Sequence, residues 1–262
     1  MIVVMLIVWG LCFGSFASAT VWRMRKRRNF VTERSECEHC HHVLAWYDLI
    51  PVLSWLSLRG RCRYCHKRLS IGYPLVELLT AGLFVAIYHY WPESLVGWQW
   101  LRLAVWLTLA VGFVALAIFD CKWFLLPDKI VIPLLILVLA ERTGFAVYTR
   151  DANIIRETVL GIICGGGIFW LLFEFSKGKW IGGGDVKLGF VIGAAVGGPL
   201  KALLVLFLAS CIGSLYGIAM LAASKLKRSG HIPFGPFLMA ATIPVFLFGE
   251  RIIDWYYNLF LL

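Results

Sequence analysis

Three aspartates stand where apolar helices should begin or end, and carboxylates so placed can do acid–base chemistry. Asp185 follows three glycines in WIGGGDVKLGF, Asp120 closes the run ALAIFD, and Asp128 follows in LLPDK. Two carboxyl groups held close together cannot easily both ionise, so one stays protonated. Such a pair can take a proton from water while donating to the carbonyl that the water attacks. That is aspartyl proteolysis, and the pair titrates as a unit. The glycines before Asp185, Gly182 and Gly184 among them, would let a substrate backbone come close. A competing structural reading makes Asp120 and Asp128 interfacial charges paired with Lys122, Lys129 or Lys187, or helix caps. A second functional reading is an ion or proton path, since acids within membrane segments also mark transporters. The clustering of the acids at one membrane face, rather than midway through it, argues against that path.

The elements that position these acids are membrane helices. Of 262 residues, 60% are apolar and 15% charged, and the mean hydropathy is +0.80, which places the chain among membrane proteins. Met1–Trp22 is long enough to span. Ala17-Ser18-Ala19 imitates a signal cleavage site, but no basic residue precedes the apolar run and WRMRKRR follows it. The segment therefore reads as an uncleaved span with its N-terminus outside. Seven further apolar segments follow, at Tyr73–Tyr90, Trp100–Phe119, Ile130–Tyr148, Thr158–Phe175, Val186–Val196, Leu200–Ala223 and Phe237–Phe248. The sixth span of the eight is short, and either begins at the glycines or runs into Gly197-Gly198-Pro199. Threading eight spans makes the loops at 120–129, 176–185 and 224–236 cytoplasmic, and these carry Lys122, Lys129, Lys177, Lys179, Lys225, Lys227 and Arg228. All three aspartates then share one face. The tail Glu250–Leu262 reads as an interfacial helix with Trp255, Tyr256 and Tyr257 in a membrane-surface belt. No repeat with a period of 20 to 50 residues stands out.

Of the 25 Lys and Arg residues, 11 fall between Arg23 and Gly72. In a membrane protein this is a topology signal and not a nucleic-acid surface. The same loop holds Cys37-x2-Cys40 and Cys62-x2-Cys65. In a reducing cytoplasmic loop the pattern favours a metal over disulfides, and four thiolates suit tetrahedral zinc. Two disulfides, or substitution of a ligand by His39, His41, His42 or His66, are the competing readings. A site with four protein ligands leaves no open position, so its role is structural. It would staple a loop too small to fold well alone. Cys12, Cys121, Cys164 and Cys211 lie in or beside apolar runs and read as small hydrophobes.

Phe119-Asp120, Leu125–Asp128 (LLPD) and the G-x-G-D of Gly182–Asp185 resemble the type IV prepilin peptidases. These are bifunctional leader peptidase/N-methyltransferases of the membrane aspartyl protease class. GSF at Gly14–Phe16, IPVLSW at Ile50–Trp55, YPLVELLT at Tyr73–Thr80 and IPFGPFL at Ile232–Leu238 extend the resemblance, in order, over nearly the whole chain. Family members often carry Asn shortly after GSF, where this chain has Ser18. The segment before Cys37 is also shorter than in many relatives. The resemblance implies Asp120 and Asp185 as the catalytic pair, with Asp128, Gly182, Gly184 and Lys187 in support. It implies a zinc site at Cys37, Cys40, Cys62 and Cys65, and methylation from S-adenosylmethionine. No glycine-rich strand-to-helix turn marks a methyltransferase fold, so methylation rests on the resemblance alone.

The expectation is an all-α polytopic membrane protein of about eight transmembrane helices. Residues 1–22 form the first helix, 23–72 a small zinc-stapled cytoplasmic domain, and 73–262 the protease core. It would sit in the bacterial inner membrane with its active site facing the cytoplasm. There it would cut the basic leader of type IV prepilins or pseudopilins after a glycine and methylate the new N-terminus. Its partners are those substrates and the lipid bilayer, with no nucleic acid. Glu33, Glu36 and Glu38 are candidates for holding the basic leader. The alternatives are an acid-lined proton or ion transporter with a zinc-stapled regulatory loop, or a peptidase lacking the methyltransferase activity.

Overall fold

A computed structural model describes residues 1–26, 28, 34–223 and 232–260. The described chain is helical, apart from two isolated bridges, Glu36 with Val43 and Arg61 with Arg68. It divides into two compact units. The first contains Met1–His89 with Leu107–Ile118, and the second Tyr90–Trp106 with Phe119–Leu262.

The first unit is a helical hairpin with a folded loop. Helices α1 (Ile2–Arg25) and α3 (Gly72–His89) pack together, and the short α2 (Leu53–Ser57) lies in the loop between them. The buried residues of α1 are Leu6, Gly10, Gly14, Ala17 and Val21, one stripe at helical spacing. Its small members bring the backbones together: a Cβ on Gly14 would lie 2.7 Å from the Cα of Glu77, and one on Gly10 would lie 2.9 Å from the Ala81 nitrogen. This is the small-xxx-small crossing of membrane helices.

The loop contains a repeat that inspection of the sequence misses. Ser35–Leu44 and Gly60–Leu69 share one hydrogen-bond pattern. Cys37 N–H donates to His42 O and Cys62 N–H to Lys67 O, while Leu44 N–H donates to Ser35 O and Leu69 N–H to Gly60 O. His41 and His66 both have φ of 57°. Only Cys37/Cys62, Cys40/Cys65, His41/His66 and Leu44/Leu69 coincide in type. The shared object is a backbone turn, which leaves little side-chain signature.

The second unit is built around α8 (Gly183–Val196), which touches α5 (Asp128–Thr149), α6 (Asn153–Ile162), α7 (Ile168–Ser176), α9 (Pro199–Ala222) and α10 (Gly235–Phe260). A π-turn at Ile163–Gly167 joins α6 to α7 in one span. With α4 (Trp98–Trp123), seven helices among those described are long and apolar enough to cross a membrane. The eighth, α8, has 14 residues and a length of about 21 Å, against a hydrocarbon core of about 30 Å. It begins at the glycines and stops at Gly197, whose φ is 66°. Helix neighbours surround it where lipid would be, which is why so short a helix can be apolar on every side.

Glycine makes that enclosure possible. A Cβ on Gly165 would lie 2.8 Å from Gly189 O, one on Gly193 would lie 3.0 Å from the Ile162 Cα, and Gly161 stands against Gly193. Gly161-x3-Gly165 thus faces Gly189-x3-Gly193, antiparallel. At the far end of α8, Arg142 packs onto Gly197 and its Nε donates to Thr158 at 3.1 Å. A cation there offsets the negative end of the helix. The tail is not a separate interfacial helix: α10 runs unbroken to Phe260. Pro244 falls inside it and no helix-ending residue separates the tail from the span.

Candidate functional site

Three helix ends meet in the second unit. Asp120 lies in the last turn of α4, which is closed by Phe124 in the left-handed conformation with its N–H on Asp120 O. Asp185 lies in the first turn of α8, where its N–H donates to Gly182 O at 3.0 Å and the helix dipole favours a carboxylate. Gly235 starts α10 and stands against both. A Cβ on Gly235 would lie 2.5 Å from Asp120 Oδ2 and 3.6 Å from Asp185 Oδ1. The two oxygens can be no further apart than those distances together.

The surroundings exclude most water. Asp120 is 6% exposed, and its Oδ2 has no hydrogen-bond partner among the described residues. The Gly235 N–H approaches the same carboxyl, and Asp185 is half-buried. Buried carboxyl groups this close interact strongly and favour a shared proton. The arrangement can hold a water between a base and an acid, next to a backbone that only glycine leaves uncovered.

Gly182 and Gly184 differ in their neighbours. A Cβ on Gly182 would lie 3.6 Å from Asp185 Oδ2, whereas one on Gly184 would meet Leu126 Cβ at 3.0 Å. Gly184 therefore makes room for Leu126. Asp128 is held by Lys187, whose Nζ donates to its two oxygens at 2.7 and 2.9 Å. Both side chains are half exposed. Sequence reasoning did not single out Gly235 within IPFGPFL, because its contribution is a missing side chain beside an acid more than a hundred residues earlier.

In the first unit the four thiols of Cys37, Cys40, Cys62 and Cys65 lie within 4.8 Å of one another. The Cys37 and Cys65 sulfurs are 3.9 Å apart. A tetrahedral ion with zinc–sulfur bonds of about 2.3 Å needs sulfur–sulfur edges of about 3.8 Å, so the cluster fits a metal ion such as zinc. A metal requires thiolates, and the two turns treat theirs differently. Burial opposes ionising Cys37, but the Cys40 and His39 N–H groups and the Cys62 and Cys40 thiols together bring the thiol down to about 7. At Cys62 burial prevails and the thiol is raised.

The acidic residues of the loop have internal partners. Glu36 pairs with Arg28 at 2.8 Å and His41 at 3.1 Å, and Glu38 accepts from the Tyr73 hydroxyl at 2.8 Å. Glu33 lies outside the described residues. Asp48 binds Arg63, Tyr64 and the Ala45 N–H. Burial works against its charge, but these partners hold its carboxyl below the usual range.

Comparison with known proteins gives the site its context. Residues 8–91 match the family model described as the bacterial peptidase A24 N-terminal domain, and residues 107–218 that of the type IV leader peptidase family. A prepilin leader peptidase/N-methyltransferase of Aeromonas hydrophila is 39% identical over 240 residues, covering 89% of this chain and 78% of the relative. Its namesake in Bacillus subtilis is 32% identical over 257 residues, covering 96% of each. That of Pseudomonas aeruginosa is 32% identical over 277 residues, covering 95% of this chain and 91% of the relative. No solved structure matches. Two family models in order along the chain, with relatives matched over most of their length, lead to one conclusion: the chain belongs to the type IV leader peptidase family.

Proposed function

We propose that Asp120 and Asp185 are the catalytic pair of a bacterial membrane endopeptidase that removes the leader of type IV prepilins or pseudopilins. The observation that carries this reading is the placing of both carboxylates against Gly235. The substrate strand lies with its scissile carbonyl beside the pair. The ionised carboxylate takes a proton from water as the oxygen adds to the carbonyl carbon, and the protonated one donates to the carbonyl oxygen. Collapse breaks the carbon–nitrogen bond, the amine leaves with a proton from the pair, and the leader departs with a new carboxyl group. Asp128 and Lys187 support the site from its rim, and Gly182 gives Asp185 its freedom of approach.

In this reading residues 1–22 anchor the chain, 23–72 form a zinc-stapled cytoplasmic domain and 73–262 the protease core. The pair faces the cytoplasm in the inner membrane, where basic loops collect. The relatives' names support a second activity, methylation of the new N-terminus, for which S-adenosylmethionine supplies an electrophilic methyl group. The transporter alternative is not favoured, since the matched relatives are named as leader peptidases.

The test is the intact mass of a co-expressed prepilin. The native chain should release the leader and add one methyl group, and neither Asp120→Asn nor Asp185→Asn should cut. Cleavage by either variant at the native rate would remove the pair from the mechanism.

A further inference from the structure

Between its two metal turns the loop of the first unit makes an apolar corner. A 3₁₀ turn at Trp46–Leu49 leads into α2 at Leu53–Ser57. Positions three apart share a face in both, which pairs Trp46 with Leu49 and Leu53 with Leu56. Trp46 is 76% exposed, Leu53 65% and Leu56 57%, and Leu49 is exposed as well. The one acid of the corner turns away from them: Asp48 holds Arg63, Tyr64 and the Ala45 N–H. Large apolar side chains gathered on one exposed stretch mark an interaction surface.

The height of the corner is set by α3. Val52 has φ of 60° and ψ of −50°, and the Leu53 N–H donates to Pro51 O at 2.6 Å. That is a γ-turn of the strained hand, at a β-branched residue. Such a conformation persists where its surroundings over-determine it. Here the Val52 N–H donates to Glu77 Oε2 at 2.7 Å, and Glu77 is buried in α3. Glu77 lies about 7.5 Å from Gly72 along the helix axis. With 18 residues, α3 is about 27 Å long against a hydrocarbon core of about 30 Å, so it has no turn to spare above the bilayer. The tie to Glu77 therefore draws the corner to the level at which α3 enters the membrane. Leu75, Leu78 and Leu79 around Glu77 are themselves exposed, and the apolar corner continues that lipid-facing surface.

The flanking residues supply charge of one sign. Across residues 49–71 there are four arginines, one lysine and no acidic residue, and Arg59, Arg61, Lys67 and Arg68 are exposed. Apolar side chains backed by exposed cations match an anionic lipid surface. A soluble partner would give no reason for tying the corner at this level. We infer that residues 46–58 are an interfacial membrane anchor. Leu53 and Leu56 lie at the acyl boundary of the leaflet that α3 enters, Trp46 lies at headgroup level, and Arg59, Arg61, Lys67 and Arg68 meet anionic headgroups. The metal loop is thus held to the bilayer at its two ends and at this corner. The anchor depends on the α1–α3 hairpin spanning the membrane and on neither proposed reaction.

The test places the full chain in lipid nanodiscs, which leave both membrane faces accessible. Photo-reactive benzoylphenylalanine replaces Leu53 in one preparation, Leu78 of α3 in a second and His39 of the first metal turn in a third. Irradiation should give lipid adducts, read by mass, at positions 53 and 78 and not at 39. In a second arm, trypsin should nick after Arg59 and Arg61 about tenfold more slowly in discs with about one third phosphatidylglycerol than in discs of phosphatidylcholine alone. Leu53→Ser combined with Leu56→Ser should raise nicking in the anionic discs about tenfold. Zinc content reports that the loop of this variant is folded, and were the zinc lost, the adduct at position 53 would decide alone. Adducts at 53 to another segment of the chain, to a second copy or to no lipid overturn the anchor. So does nicking that ignores lipid charge or the two leucines.

Discussion

Gly235 and Asp120 are in contact across the helix ends, so closely that a methyl group on Gly235 would sit 2.5 Å from Asp120 Oδ2. Real Cβ atoms do not approach an oxygen so nearly, so something must shift, and the Asp120 carboxyl, at the end of its side chain, is the group that can. Gly235→Ala should therefore displace Asp120 relative to Asp185 without changing either acid. A misplacement of about 1 Å can lower a rate about a hundredfold, and that is the loss expected in leader cleavage at unchanged expression. The check is a time course of prepilin processing in detergent. Native rates for the variant would mean that the pair tolerates a side chain between its arms.

Asp128 should behave differently from the pair. Its ion pair with Lys187 lies on half-exposed side chains, and such pairs contribute about 0–1 kcal/mol. Asp128→Asn, Lys187→Met and the double variant form a cycle in which thermal stability should change little and the coupling should be under about 1 kcal/mol. Cleavage should fall by less than about tenfold, the equivalent of 1.4 kcal/mol. A loss in Asp128→Asn as complete as that expected for Asp120→Asn would move Asp128 into the reacting pair.

The helices and both clusters of chemical groups were legible because each leaves a local mark. Apolar runs of spanning length, Asp120 at the end of one run, Asp185 after glycines and the two C-x2-C pairs are all visible within short windows. What was not legible depends on partners distant in sequence. Gly235 matters for what it leaves uncovered at Asp120. Gly161, Gly165, Gly189 and Gly193 matter in pairs, and no single glycine announces its opposite. The Ser35–Leu44 and Gly60–Leu69 repeat is written in backbone hydrogen bonds.

The paired glycines carry their own prediction. A Cβ on Gly193 would press on Gly161 O and would lie 3.0 Å from the Ile162 Cα, both backbone atoms that cannot swing aside. Gly193→Ala should therefore overpack the crossing of α6 and α8, at about 1–3 kcal/mol, and tilt the helix that carries Asp185. Gly82, with open space around its Cβ position, is the control, and Gly82→Ala should be silent or slightly stabilising. Thermal unfolding in detergent should show a lower midpoint for Gly193→Ala only. Equal midpoints for the two variants would mean that the α6–α8 contact is not close-packed in the bilayer protein.

Metal removal should separate the two reactions. The thiol cluster belongs to the first unit, whereas Asp120, Asp185 and Gly235 belong to the second. Purified protein should carry one zinc per chain, and chelation should release it with uptake of protons, since thiolates are the binding form. Without the ion the turns at Cys37–His42 and Cys62–Lys67 lose their tie. Methylation should then fall before cleavage does, and proteolytic nicking should concentrate within residues 34–71. Cys40→Ser and Cys65→Ser should reproduce this order, because each removes one ligand without touching the α1–α3 hairpin. If cleavage and methylation decline together as zinc is withdrawn, the loop is holding the protease core as well, and the division of labour between the units fails.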